Sequence, residues 1–125
     1  MARTMPKRSF ASLSGNWALA VGLSGSLLYI LFDLFGDPGR GQAAGVGAIM
    51  TACVTRYFWD LRRRVWFWIT MAIIVLAHVL LVVSIRWPSA RATWVALLPV
   101  AWADFGVCYG SIRLAEVLFG GDANA

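Results

Sequence analysis

Chemically useful side chains are scarce in this sequence. Asp, Glu, Lys and Arg make up 14% of its 125 residues, against about 25% in soluble domains. It has one histidine, two cysteines and six acidic residues in all. One histidine, with no second histidine or glutamate near it in sequence, is too few for a metal site, so no metal is expected. Cys53 and Cys108 lie in apolar runs. They give neither a disulfide framework nor a zinc spacing, and each reads as a small apolar residue. No Ser-His-Asp set, phosphate-binding glycine loop or paired-carboxylate site is present, and Ser24, Ser26, Ser84 and Ser111 have no neighbouring base in sequence. A single His and Asp without a nucleophile or metal set make a thin enzymatic site. Neither an enzyme nor a cofactor is therefore expected.

What fills the chain instead is apolar. Hydrophobic residues reach 60%, against about 45–50% in soluble domains, and they gather in four long stretches. A spanning helix needs about 20 residues, so four of them occupy most of the chain and leave no room for a soluble domain. The fold class expected is all-α: one transmembrane domain over 1–125, with helices at about 15–35, 41–59, 65–85 and 92–119 in an up-down-up-down bundle with short loops. Arg3, Lys7 and Arg8 ahead of the run from Trp17 to Phe35 mimic a signal peptide. That run exceeds the 7–15 residues of such a segment, and no small-x-small site directly follows it. It is read as the first span.

The layout turns on the stretch from Arg56 to Trp68, where four arginines and an aspartate sit between two aromatic clusters. Bilayers exclude arginine from their interior and favour tryptophan and tyrosine in the headgroup zone. The stretch reads as a tight turn on one membrane face. Gly36-Asp-Pro-Gly39 reads as a turn on the other face, and so does the segment from Arg86 to Arg91. Arg3, Lys7, Arg8, Arg56, Arg62, Arg63, Arg64 and Arg113 fall on one side, and Arg40, Arg86 and Arg91 on the other. This bias puts both termini in the cytoplasm and the protein in the inner (plasma) membrane. The net charge of +5 is a topology signal beside apolar runs, not a nucleic-acid footprint.

Small residues mark helix faces. Gly22 and Gly25 lie on one side of the first helix with Gly15, Ala18, Ser26, Tyr29 and Asp33. In the second, Gly41 and Gly45 form a GxxxG pair, continued by Ala44, Ala48, Ala52 and Thr55. Small faces let helices approach closely in lipid, so these two are expected to pack as a hairpin. In the fourth helix, Leu97, Ala101, Asp104, Cys108 and Ser111 share one face. Leu98, Trp102, Phe105 and Tyr109 share another, which suits lipid.

Two constellations are candidates for function. His78 and Asp104 are intramembrane ionisable groups on neighbouring helices, at depths that differ by roughly 7–8 Å at a helical rise of 1.5 Å per residue. Direct contact or one bridging water joins them. The pair serves either proton or ion movement, or helix register, unless Asp104 instead meets another subunit. Arg62, Arg63 and Arg64, flanked by Trp59 and Trp66, suit anionic lipid headgroups at the cytoplasmic face, or act as a topology anchor alone. Together these readings point to a small polytopic membrane protein without enzymatic activity. It would act as a homo-oligomer or as an accessory subunit of a larger membrane complex, with membrane lipids and itself or another membrane protein as partners. The alternative is a small oligomeric channel or proton-coupled transporter that uses His78 and Asp104.

Overall fold

The computed structural model of the protein describes residues 15–87 and 94–120. Among them, the elements are α1 (Gly15–Leu34), α2 (Pro38–Tyr57), a 3-10 helix (Trp59–Arg63), α3 (Val65–Ser84) and α4 (Trp94–Phe119), and there is no strand. Three helices, α1, α3 and Val95–Phe119 of α4, are long and apolar enough to cross a membrane, which marks a membrane protein. Arg3, Lys7, Arg8 and Arg91, used in the charge count, lie outside the described residues, as do the first two residues of the expected fourth helix.

The α1–α2 connection is tighter than a four-residue turn. Gly36 has φ +78°, a backbone conformation that glycine adopts without steric cost. Asp37 N–H donates to Phe32 O at 3.0 Å and Gly36 N–H to Asp33 O at 3.0 Å, the paired bonds of a Schellman stop. The next residue already starts α2. Asp37 caps it, its Oδ1 accepting from the Arg40 N–H at 3.2 Å. Pro38 follows in the first turn, where a missing N–H costs nothing. Hence α2 begins at Pro38 rather than about 41. It ends at Tyr57, and the expected turn after it is a short 3-10 helix.

At 20 residues α2 is as long as α1 and α3 but less apolar. Its position explains this. It packs against α1, α3 and α4, and none of its residues is exposed. A helix surrounded by protein needs small side chains for close approach more than apolar bulk for lipid. Leu19, Leu23, Leu27 and Leu34 of α1, by contrast, are largely exposed.

The core gathers Val54 and Phe58 from the end of α2, Phe67, Met71 and Ile74 from α3, and Cys108 and Ile112 from α4. Phe105 and Tyr109 pack against it, which corrects the expectation that they face lipid. The Tyr109 ring lies 5.3 Å from that of Phe58, 5.8 Å from Tyr57 and 6.0 Å from Phe105. The two aromatics that close α2 draw this edge of α4 inward, whereas Leu98 and Trp102 remain exposed.

Candidate functional site

His78 of α3 and Asp104 of α4 meet directly, His78 Nε2 against Asp104 Oδ1, with no water needed between them. The other ring nitrogen fixes the chemistry of the contact. Nδ1 lies 2.8 Å from the Ile74 carbonyl oxygen. A carbonyl only accepts, so Nδ1 carries the hydrogen. A neutral ring then presents a lone pair at Nε2 to a carboxylate oxygen, and two lone pairs repel. The contact therefore holds one proton, as imidazolium with carboxylate or imidazole with carboxylic acid. The second oxygen, Asp104 Oδ2, is buried with no hydrogen-bond partner among the described residues.

The surrounding helices leave room for this pair. A β-carbon on Gly47 would stand 3.0 Å from His78 Cδ2, so glycine there admits the imidazole. Two apolar clefts flank it. One, of about 420 Å³, lies among α1, α2 and α3 and is lined by Leu28, Phe32, Ala48, Ala52, Val75 and Val79. The other, of about 340 Å³, lies among α2, α3 and α4 and includes Val46, Leu81, Trp87, Leu97 and Val107. His78 and Gly47 line both, and Asp104 lines the second.

Cys108 joins the pair. It sits one turn beyond Asp104 on α4 and is 1% exposed. Ligand atoms of His78, Asp104 and Cys108 all lie within 4.8 Å of one another. The Thr51 side chain of α2 faces the Cys108 sulfur. Sequence reading put Asp104 and Cys108 on one face but did not join the thiol to the pair. The signal was their i,i+4 spacing.

The small-residue positions divide. Gly25, Gly41 and Gly45 lie in the α1–α2 contact: a β-carbon on Gly41 would meet Tyr29 O at 2.9 Å, and one on Gly45 would meet Gly25 O at 3.0 Å. Gly22 faces open space, and Ala48 and Ala52 line a cleft. A second GxxxG pair was missed. Gly106 and Gly110 of α4 are exposed, with nothing within 4 Å of where a β-carbon would stand. They lie opposite Cys108 and Ile112 on the helix.

In the arginine-rich turn, the Arg62 guanidinium lies 5.2 Å from the centre of the Trp59 ring. Trp68 Nε1 donates to Arg62 O at 2.7 Å, which ties α3 to the 3-10 helix. Arg63 and Arg64 are exposed, while Trp66 packs against the core. The Trp66 and Phe67 rings make an edge contact at 6.5 Å.

Comparisons with known protein families, with curated proteins and with solved structures find no match to this chain.

Proposed function

We propose that the protein is a multi-pass subunit of the inner (plasma) membrane that acts by packing, as a homo-oligomer or as an accessory subunit of a larger complex, without enzymatic activity. In this reading α2 is the fourth span, the bundle runs up-down-up-down, and both termini are cytoplasmic. Gly106 and Gly110 carry the proposal. Glycine weakens a helix by roughly 0.5–1 kcal/mol relative to alanine, and lipid contact makes no demand for it. Two outward glycines at i,i+4 offer a flat strip onto which another helix backbone can close, as small-xxx-small pairs do in membranes. The partner favoured is the same strip on a second copy, since a shared two-fold face is self-complementary.

The test is the oligomeric state in mild detergent, read by native mass spectrometry. The wild type should run as a symmetric oligomer and the Gly106→Leu/Gly110→Leu variant as a monomer. Co-purification with other membrane proteins, lost in the same variant, supports the accessory form. An unchanged assembly in that variant overturns the reading. Reversed accessibility of tags on the two chain ends overturns the topology.

A small oligomeric channel or proton-coupled transporter is the second reading. It is favoured by the position of His78 between two clefts, beside a carboxylate with an unpartnered oxygen. Ion flux into liposomes that is lost in Asp104→Asn supports it. No flux in the wild type, or equal flux in both, removes it.

A further inference from the structure

We infer that His78, Asp104 and Cys108 form an intramembrane binding site for one divalent transition-metal ion of the zinc class, which enters in exchange for two protons. The inference does not depend on how the chain assembles.

The first support is the histidine. Nδ1–H is held by the Ile74 carbonyl at 2.8 Å, so Nε2, which meets Asp104, is the nitrogen left for an ion. This is how a metal-binding histidine is commonly oriented, with its far N–H donated to a carbonyl and its near lone pair left for the ion. The second is the carboxylate, whose Oδ2 is buried without a partner. The third is the thiol, since the candidate nitrogen, oxygen and sulfur ligands lie within 4.8 Å of one another. With bonds of about 2.0–2.3 Å, ligand atoms around a tetrahedral ion stand roughly 3.3–3.8 Å apart. The ion therefore separates Nε2 from Oδ1, and a turn of the carboxylate brings Oδ2 into use. Three protein ligands leave one position for water or an exogenous ligand, and His78 and Asp104 already line a cleft.

Charge selects the ion. Before binding, Cys108 is a neutral thiol and the His78–Asp104 pair shares one proton, so the cluster is neutral overall. A dipositive ion with one thiolate, one carboxylate and a neutral imidazole is neutral as well. Binding releases the thiol proton and the shared proton, two for one ion, and leaves no net charge in a medium that penalises charge. A monovalent ion on the same three ligands would leave a net negative charge. Nitrogen and sulfur donors favour zinc-class ions over magnesium or calcium.

Cobalt(II) added to the metal-free, detergent-purified protein is the probe. The wild type should bind one ion per chain with a thiolate-to-cobalt charge-transfer band in the near ultraviolet. Calorimetry in buffers of different ionisation enthalpy should count two protons released. Cys108→Ser, close to isosteric, should lose the band while keeping its helicity and elution volume. Cys53→Ser should keep it. Asp104→Asn should release one proton, and His78→Gln should bind at least tenfold more weakly. No band in the wild type, a band that survives Cys108→Ser, a band lost in Cys53→Ser or unchanged affinity in His78→Gln would each overturn the assignment.

Discussion

Gly25 and Gly45 bring α1 and α2 together so closely that a β-carbon on Gly45 would stand 3.0 Å from the Gly25 carbonyl oxygen. One turn away, Gly41 is tighter still, at 2.9 Å from Tyr29 O. Neither obstacle is the end of a flexible side chain, so relief requires the helices to part. α1 depends on this seam, because α2 is its principal neighbour.

Gly41→Ala should therefore destabilise the protein by about 1–3 kcal/mol, the usual cost of overpacking. Gly22→Ala, with nothing within 4 Å, should change stability by less than about 1 kcal/mol and in the stabilising direction. Reversible unfolding in mixed micelles measures both. Equal effects would mean that the seam does not govern α1 docking.

Much of this architecture is readable from residue order, and the gaps have physical causes. The stops of α1 and α3 are written locally, in Gly36 and in the sequence Arg86-Trp87-Pro88 that follows Ile85. The start of α2 is not, because Asp37, Pro38 and Gly39 are turn residues that serve equally as a cap and a first helical turn. Likewise, the pattern of α4 separates faces but does not say which one the core takes. Tyr109 looks suited to lipid until the aromatic end of α2 is placed beside it. Gly106 and Gly110 carry no sign of facing outward. His78 and Asp104 are conspicuous as ionisable groups in apolar runs, whereas Cys108 is not, since a buried thiol usually only fills space. The room made by Gly47 is legible only from helix packing.

The His78–Asp104 contact predicts non-additive stability. His78→Leu leaves Asp104 without its partner, and Asp104→Leu does the same to the imidazole. Removing one member of a buried pair costs about 3–5 kcal/mol. Here the side chains are 22% and 18% exposed, so a value near the lower end, about 3 kcal/mol, is expected for each. The double variant His78→Leu/Asp104→Leu should lie within about 1 kcal/mol of the wild type, since replacing both partners with apolar groups is often neutral. A full unfolding cycle decides. Additive single losses would show that the two side chains act independently.

Gly47 offers a way to disturb the pair without altering it. A leucine there drives its side chain into the space of the His78 ring, which lies 3.0 Å from where the β-carbon would stand. Gly47→Leu should break the Nε2 contact while α3 stays helical. In protein labelled with nitrogen-15 at histidine, the imidazole resonances should move to those of an unpaired ring. Resonances identical to the wild type would mean that the space at Gly47 does not govern the His78–Asp104 contact.

The arginine-rich turn yields a prediction about lipid. Arg63 and Arg64 project from the 3-10 helix and its end, while Arg62 is held over Trp59. A basic residue near an anionic leaflet contributes about 1 kcal/mol, roughly fivefold in affinity. Arg63→Ala/Arg64→Ala should therefore weaken phosphatidylglycerol retention by about twenty-five-fold, with a smaller loss for the zwitterionic phosphatidylcholine. Trp59→Ala releases the Arg62 guanidinium from the ring but keeps its charge, so retention should fall by fivefold or less. Raising the salt concentration should shrink the double-variant effect, because the Debye length falls from about 10 Å at 0.1 M to about 3 Å at 1 M. Native mass spectrometry across a lipid titration reads these losses. Equal loss of both lipids, insensitive to salt, would reduce the three arginines to markers of orientation.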